Sequence, residues 1–414
     1  MSAASFRSLH RIAAPFRPKP LAALLMGALA LAALLPLAAG TARAENGITD
    51  LGTLGGTTSS ASGVSADGSV VVGGANTVGG SQRAFRWTNN VMTDLGTLGG
   101  TGSFAYDVSA DGAVVVGMAY TTGGSQRAFR WTNNVMTDLG TLGGTATSRA
   151  WGVSADGSVV VGMAPITGNA NRAFRWVQGA TGGVAGNVQM YDLGTLGGTS
   201  SVANGVSADG AVVVGWAYPT GDAALRAFRW TNNVMTDLGT LGGTDSGAES
   251  VSADGSVVVG WAQQAGAAYR AFRWTSAGMV NLGTLGGTES FANGVSADGA
   301  VVVGQAQTVG NTAYRAFRWR SGGMQSVEDW LRANGVTVPA DITDRASATN
   351  SDGSVVVGTL ANNHAFIARV AAVGSGLVTL ADLQASLGAA TTGGGMALSA
   401  WPRRASATIS ARRR

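Results

Sequence analysis

The side chains that carry most enzyme chemistry are scarce in this sequence. It has no cysteine, its histidines are His10 and His364, and Lys19 is its one lysine. These counts exclude thiol chemistry and thiolate metal sites, and they leave no lysine in the body of the chain for a Schiff base or a phosphate-binding loop. A serine–histidine–aspartate triad would have His364 as its one possible base. We therefore expect no catalytic residues, no metal site and no cofactor.

Carboxylates are the remaining groups with a capacity for chemistry. Seven aspartates directly precede a glycine, a pair that favours a tight turn: Asp67, Asp111, Asp156, Asp209, Asp254, Asp298 and Asp352. A second set, Asp94, Asp138, Asp192 and Asp237, is predicted to pair with Arg86, Arg130, Arg175 and Arg229 on the adjacent strand. A glycosidase needs two acids in distinct environments, and repeated acids share one. Glu249 and Glu289 are the candidates for such a pair by elimination.

These residues belong to a repeat that covers most of the chain. The motif S-x-D-G-[SA]-V-V-V-G occurs six times, and a seventh copy has Asn350 in place of its serine; the copies are spaced at intervals of 44 to 54 residues. R-A-F-R-W follows six of the copies, and the seventh has His364-Ala365-Phe366-Ile367 in its place. A third block, D/N-L-G-T-L-G-G, has its first leucine at residues 51, 95, 139, 193, 238 and 282. The chain is therefore an array of one structural unit.

Each unit predicts four short strands. An Asp-Gly turn joins the first strand to V-V-V-G, whose continuous β-branched run indicates a strand buried on both faces. R-A-F-R-W forms the third strand, with its Phe and Trp on one face and its arginines stacked on neighbouring aromatic rings. Asn89-Asn90 and its equivalents turn the chain into a fourth strand. A four-stranded unit of this length is typical of a β-propeller blade, and a β-solenoid is the alternative.

The two ends of the array favour a closed seven-bladed propeller. Ile48–Leu51 reads as an isolated fourth strand, and the seventh unit has three strands, from Ala346 to Arg369. Together they complete one blade and remove the open edges of the array. Two insertions interrupt the repeat: residues 179–189 in a loop between third and fourth strands, and E-D-W-L-R-A-N-G in the sixth unit, a short helix ended by Gly335.

Binding residues are expected where the units differ. The connections from fourth to first strand and from second to third strand lie on one face of a propeller, and aromatic and polar groups on such loops build binding sites. The candidate residues are Phe104, Tyr106, Tyr120, Arg149, Trp151, Asn204, Tyr218, Glu249, Phe291 and Asn293.

The N-terminal region predicts export. Basic residues precede an apolar run from Leu21 to Ala38, and Ala42-Arg43-Ala44 then offers a cleavage site, so residues 1–44 are interpreted as a signal peptide cleaved after Ala44. An uncleaved anchor is the alternative. Five of the 27 basic residues precede Glu45, and five lie in the last twelve residues, so residues 45–372 have 17 basic and 22 acidic groups. This balance argues against a nucleic-acid partner.

The three repeated blocks resemble the HAF family of extracellular repeats over residues 48–370. The resemblance implies a periplasmic, cell-surface or extracellular location, often as the passenger of an autotransporter with a C-terminal outer-membrane barrel. Residues 373–414 begin with a linker-like stretch, Gly376–Gln384, and end in an Arg-rich tail expected to be disordered, so this sequence departs from the pattern because no barrel follows. A frameshift near residues 393–396 and a natural basic tail are both open explanations.

Three functions follow as hypotheses. The first is an exported module, without enzymatic activity, that binds an extracellular glycan or protein. The second is an extracellular propeller glycosidase or lyase. The third is a structural surface repeat without a discrete ligand.

Overall fold

A computed structural model describes residues 46–145 and 147–371 of the chain. These residues form seven four-stranded antiparallel sheets, each with its strands in the order of the sequence except where the chain ends meet. The prediction of a seven-bladed β-propeller is confirmed, and the β-solenoid is excluded. The interpretations of residues 1–44 and 373–414 concern parts of the chain outside the described residues.

The strands alternate with short turns, and we number the blades from the first complete one. The chain begins with β1 (Gly47–Asp50). Blade 1 comprises β2 (Gly55–Val64), β3 (Val71–Thr77), β4 (Gln82–Thr88) and β5 (Val91–Asp94). Blade 2 comprises β6 (Gly99–Val108), β7 (Val115–Thr121), β8 (Gln126–Thr132) and β9 (Val135–Asp138). Blade 3 comprises β10 (Arg149–Val153), β11 (Val159–Pro165), β12 (Asn171–Val177) and β13 (Met190–Asp192).

The remaining blades follow the same plan. Blade 4 comprises β14 (Gly197–Val206), β15 (Val213–Pro219), β16 (Arg226–Thr231) and β17 (Val234–Asp237). Blade 5 comprises β18 (Gly242–Val251), β19 (Val258–Gln264), β20 (Tyr269–Thr275) and β21 (Gly278–Asn281). Blade 6 comprises β22 (Gly286–Val295), β23 (Val302–Thr308), β24 (Tyr314–Arg320) and β25 (Gly323–Ser326), with a 3-10 turn at Val309–Asn311. The helix α1 (Val327–Ala333) leads to β26 (Thr343–Thr349), β27 (Val355–Leu360) and β28 (Ala365–Arg369).

The seventh blade joins the two ends of the repeat array. Its strand order is β1-β28-β27-β26, and β1 pairs with β28 so that Ile48 lies opposite Ala368 and Asp50 opposite Phe366. The predicted closure by an N-terminal strand is thus confirmed. His364 lies next to this seam, and its Nδ1 is 2.9 Å from a carboxylate oxygen of Asp50.

The predicted turns and insertions are present. Gly68 and its equivalents adopt positive φ angles, whereas the preceding aspartates accept hydrogen bonds instead: Asp67 Oδ1 accepts from Ser65 Oγ and Ser69 N at 2.7 and 2.9 Å. Asn89 and Asn90 both adopt positive φ, as the second turn requires. The loop from 179 to 189 separates β12 from β13, and α1 is followed by Gly335 at φ 80°.

Each blade packs its aromatic residues against the valines of the preceding blade. Val70, Val71 and Val72 are at most 3% exposed, so the second strand is buried on both faces as predicted. The phenylalanines of R-A-F-R-W are fully buried in every blade. Seven separate apolar clusters result, each built from residues of adjoining blades. Burial between blades, rather than within them, is the main apolar contribution to stability.

The two arginines of the R-A-F-R-W motif have different partners from those predicted. Asp94 lies opposite Phe85 in the strand pair, so its side chain is on the face that carries Phe85 and Arg83, not on the face of Arg86. The ion pairs are accordingly Arg83–Asp94, Arg127–Asp138, Arg172–Asp192 and Arg226–Asp237, at 3.5 to 4.0 Å. The predicted pairs with Arg86, Arg130, Arg175 and Arg229 are therefore wrong.

The second arginine of the motif links neighbouring blades. Arg86 Nε donates to the carbonyl oxygen of Gly112 in the next blade at 3.1 Å, and Arg130, Arg175, Arg229, Arg273 and Arg318 make the equivalent bond. Arg369 Nη2 of blade 7 donates to Gly68 O of blade 1 at 2.7 Å. The predicted stacking of these arginines on aromatic rings is found within the described residues for Arg318, which lies 5.0 Å from the ring centre of Trp330.

A buried serine provides a second link between blades. Ser201 Oγ accepts from the backbone N–H of Ala173 in the preceding blade at 2.9 Å and donates to Gly194 O at 2.5 Å. Equivalent bonds are made by Ser59, Ser103, Ser148, Ser246 and Ser290. The serine hydroxyl thus accepts from a backbone N–H that belongs to the neighbouring blade.

Removal of this hydroxyl should destabilise the propeller. In S201A the buried N–H of Ala173 loses its acceptor, so we expect the free energy of unfolding in urea to fall by about 1–3 kcal/mol. S200A is the matched control, and its effect should stay within about 0.5 kcal/mol. Equal losses in the two variants would contradict this role for Ser201.

Candidate functional site

The first strands of all seven blades surround a central channel with a cavity of about 760 Å³. Alternate residues of each first strand face this channel, because side chains point to opposite sides of a strand in turn. Four levels can be followed from one end to the other, and we number them rings 1 to 4. Ring 4 lies at the Asp-Gly turns, and ring 1 lies at the opposite end, the mouth.

Rings 3 and 4 are nearly uniform. Ring 3 consists of Val64, Val108, Val153, Val206, Val251, Val295 and Thr349. Ring 4 consists of Ala66, Ala110, Ala155, Ala208, Ala253, Ala297 and Ser351. Backbone hydrogen bonds of 2.9 to 3.2 Å join the ring 4 residues in a closed circle, in which each N–H donates to the carbonyl of the next blade. This end of the channel is apolar, and backbone hydrogen bonds join its residues from blade to blade.

Rings 1 and 2 differ from blade to blade. Ring 2 consists of Ser62, Tyr106, Trp151, Asn204, Glu249, Asn293 and Ser347. In ring 1 the cavity is lined by Phe104, Arg149, Val202 and Arg345, while the equivalent positions in the other blades are Ser60, Gly247 and Phe291. The chain therefore repeats the residues that close the circle and varies those that line the mouth.

One side of the mouth is aromatic. The ring centres of Phe104 and Tyr106 are 4.9 Å apart, and those of Tyr106 and Trp151 are 4.0 Å apart. Gly74 in blade 1 makes room for this wall, because a Cβ there would lie 2.3 Å from two ring carbons of Phe104. The indole nitrogen of Trp151 is buried and has no hydrogen-bond partner among the described residues. A buried donor of this kind is satisfied by an acceptor from a ligand or by water.

The other side of the mouth holds a carboxylate in a fixed position. Trp261 Nε1 donates to Glu249 Oε1 at 2.9 Å, and Asn204 Nδ2 donates to Glu249 Oε2 at 3.2 Å and to Ala248 O at 2.9 Å. Burial raises the pKa of Glu249 to about 7, against the lowering effect of the Trp261 hydrogen bond. Near neutral pH the group therefore exists in both protonation states, as an acceptor and as a donor.

Asp107 is a second acid of the channel wall, with a role between blades. It occupies a position that is glycine in four of the blades, and its Oδ2 accepts from the Val153 N–H of the next blade at 3.0 Å. Its Oδ1 accepts from Val108 N at 2.8 Å. Burial raises the pKa of Asp107 to about 6, and the two hydrogen bonds oppose that rise.

Seven of the ten predicted binding residues line the cavity: Phe104, Tyr106, Arg149, Trp151, Asn204, Glu249 and Asn293. Their expected location on loops is wrong, since all seven lie on first strands and face the channel. Four of the five strands that carry them begin at the Gly-Gly-Thr segment, and β10 begins at Arg149.

The other three predicted residues lie outside the cavity lining. Tyr120 is on β7 and accepts from Gln126 Nε2 at 2.7 Å. Tyr218 is on β15, where it packs edge-to-face on Trp216 at 6.1 Å. Phe291 contacts Tyr269 and Tyr314 at 5.9 and 6.2 Å. Glu289, the proposed hydrolytic partner of Glu249, also lies outside the lining and accepts from the Tyr314 hydroxyl at 2.6 Å.

Several lining residues were missed from the sequence, among them Arg345, Ser347, Ser62 and Asp107. Alignment of the units at the V-S-A-D-G block places the last two, because they lie two or three residues before its serine. Arg345 and Ser347 were missed because no Gly-Gly-Thr block precedes them in their unit, whereas this block marks the first strand in the other units.

Residues 46–145 and 147–371 contain no group of three or more His, Cys, Asp or Glu side chains arranged to hold a metal ion. Within the same ranges we find no helix with the length and apolar character needed to cross a membrane.

Comparisons with known proteins find similar solved structures but no matching family. No protein-family model matches it, and no curated protein matches it. Similar solved structures include TolB from Acinetobacter baumannii (11% identity, TM-score 0.42, covering 63% of this chain and 64% of that one). A putative TolB from Agrobacterium tumefaciens has 14% identity and a TM-score of 0.44, covering 76% of this chain and 100% of that one. A chain of a mitotic checkpoint complex has 14% identity and a TM-score of 0.46, covering 78% of this chain and 93% of that one.

The pKa of Glu249 gives a testable pH dependence. A folded-state pKa of about 7, above the value of about 4.3 for an unfolded chain, means that the folded protein binds the proton more tightly. Glu249 therefore contributes stability that is fully present below pH 4.3 and is lost as the pH rises through 7. In E249Q, the free energy of unfolding should fall less steeply with pH across this window than in the wild type.

D107N is the companion variant for that measurement. Because the pKa of Asp107 is raised to about 6, D107N should flatten the lower part of the window and leave the part between pH 6 and 7. Urea unfolding at intervals of half a pH unit measures both slopes. If E249Q and the wild type have the same slope, the pKa of the Glu249 carboxyl is not raised in the folded protein.

Proposed function

We propose that the protein is a binding module that takes part of a glycan into the mouth of its central channel. The observation that carries this proposal is the division of the mouth into an aromatic wall and a polar wall. Phe104, Tyr106 and Trp151 face the cavity on one side, and Asn204, Glu249 and Asn293 face it from blades 4 to 6.

Sugar rings suit such a cavity because they have both kinds of surface. The C–H face of a pyranose packs on an aromatic ring, and its hydroxyls donate to carboxylates and accept from amides and indole N–H groups. The unpaired Trp151 N–H and the free lone pairs of Glu249 supply one donor and one acceptor. The cavity of about 760 Å³ lies within the range of small-molecule sites, about 300–1,000 Å³.

The proposed binding takes place outside the cytoplasm. The resemblance to HAF repeats and the N-terminal pattern of basic residues, apolar run and Ala42-Arg43-Ala44 support this location. The absence of cysteine is compatible with it, since a core of this size needs no disulfide.

A second candidate function is hydrolysis or elimination on the same glycan. Glu249 favours it, because a carboxyl with a pKa of about 7 is suited to general acid–base chemistry. Turnover of polysaccharides by the wild type, abolished in E249Q, would replace the binding proposal by this one.

The aromatic wall provides the main test of binding. On a glycan array, W151A and Y106A should each weaken binding by about tenfold or more, because loss of a buried aromatic contact removes roughly 1.5–3 kcal/mol. Y218A, a tyrosine outside the cavity, is the matched control and should bind as the wild type does. W151F separates the ring from the N–H, and we expect an intermediate loss.

Loss of affinity counts only if the variants fold, so thermal unfolding is measured beside each array. Wild-type levels of binding in folded W151A and Y106A would rule out the channel as the site. Failure of the wild type to bind any glycan would favour a protein ligand or a structural role.

Export has its own test. Expressed in a Gram-negative host and recovered from outside the cytoplasm, the protein should start at Glu45 by N-terminal sequencing. Arginine at both Ala42 and Ala44 should block cleavage, because the site needs small residues, while the same change at Ser2 and Ala4 should not. Recovery of the intact chain from the cytoplasm alone would contradict the proposal.

A further inference from the structure

Two arginines line the mouth of the channel without acidic partners. Arg149 and Arg345 occupy ring 1 in blades 3 and 7. Arg149 donates from Nε and Nη2 to Gln126 Oε1 at 3.2 and 2.8 Å, which is a neutral acceptor. Arg345 is exposed, and neither guanidinium forms an ion pair with any carboxylate of residues 46–145 and 147–371.

This arrangement differs from that of five of the six arginines that open the R-A-F-R-W motif. Arg83, Arg127, Arg172, Arg226 and Arg315 all form ion pairs with aspartates. The sixth, Arg270, also has no ion pair within residues 46–145 and 147–371, because Asn281 stands in the aspartate position of its blade. The repeat thus contains a position for neutralising an arginine, and the two mouth arginines are outside it. The ring 1 residue is serine, glycine or apolar in five of the seven blades, and it is arginine in the other two.

The acids of the cavity do not cancel these charges. Of the titratable acids that line it, Glu249 is held by Trp261 and Asn204, and Asp107 points into the contact with blade 3. Burial raises the pKa values of both carboxyls, so protons compensate part of their charge near neutral pH. Arginine is the side chain best suited to bind carboxylates, through two parallel N–H donors.

We propose that the glycan taken into the mouth is acidic, a uronic acid-containing saccharide whose carboxylate is bound by Arg345 and Arg149. This inference rests on the proposed function and adds the charge of the ligand. The aromatic wall holds the C–H face of the sugar, Asn204 and Glu249 bind its hydroxyls, and the two arginines hold its carboxylate at the rim. A neutral glycan would leave both guanidinium groups without an anionic partner.

The test compares each acidic oligosaccharide with its own carboxyl-reduced form. Reduction converts the C6 carboxylate into a primary alcohol and keeps the ring, the linkages and the hydroxyls. For uronate oligosaccharides titrated into the wild-type protein, we expect reduction to weaken binding by about tenfold or more, since the charge-assisted hydrogen bonds from the arginines to the carboxylate are lost.

R345A should produce the same loss for the acidic sugar and little further loss for its reduced form. R149A should act similarly, with the added effect of freeing Gln126. R320A, an exposed arginine at the end of β24 and outside the cavity, is the matched control and should leave affinity unchanged. Affinity for the acidic sugar should also fall as salt is raised from 0.05 to 0.5 M, because the mouth is open to solvent.

The outcomes distinguish this inference from the function on which it rests. Equal binding of the acidic and reduced sugars, still lost in W151A, would overturn the acidic preference and keep the glycan site. No saccharide binding in folded wild-type protein would overturn both. Binding of peptides through their C-terminal carboxylate, lost in R345A, would overturn the saccharide and leave the arginines as the anion site.

Discussion

A closed circle of seven backbone hydrogen bonds at ring 4 is the constraint on which the rest of the structure depends. Each ring 4 N–H donates to the ring 4 carbonyl of the next blade, and the last bond, from Ser351 to Ala66, returns to the first blade. A circle closes only if its seven steps together make one full turn, and nearly identical residues around each step give every step the same geometry. The repeated S-A-D-G turn meets this need, with Asp67 and its equivalents fixing the turn and Gly68 taking the positive φ. The Arg86 and Ser103 bonds then repeat the same step further from the axis.

The same constraint explains where the protein can vary. Toward the mouth the first strands are no longer joined to one another by backbone bonds in a circle, and their channel-facing side chains contact mainly the cavity. Variation there changes the channel wall without changing the angle between blades. Some substitutions are coupled, however. Gly74 accommodates the ring of Phe104, and Gly247 accommodates the indole of Trp261, which in turn holds Glu249. The aromatic and acidic sides of the mouth are thus each supported by a glycine on the neighbouring strand.

The closing blade departs from the pattern because two chain ends meet in it. Here no turn of the chain connects β1 to β28, and His364 faces Asp50 where blades 1 to 4 have an arginine and an aspartate. The helix α1 fills the space before blade 7, where Glu328 accepts from the N–H and the hydroxyl of Thr343 in place of the usual serine link. Arg345 follows directly on this irregular segment, which is why no repeat motif marks it. The arginine that we propose as a carboxylate ligand therefore lies at the point where the repeat is broken.

The sequence by itself determined the unit, the number of blades, the closure by Ile48–Asp50 and the helix before Gly335, and seven of the ten binding residues predicted from it line the cavity. Spacing and strand alternation suffice for these, because they are local properties of a chain that repeats. Other features depended on the tertiary structure. The partner of each arginine followed from the register of β4 with β5, since a shift of one residue moves a side chain to the opposite face. The location of Tyr106 and Trp151 in a channel, rather than on loops, followed from the closure of the ring, which alone brings seven first strands to one axis.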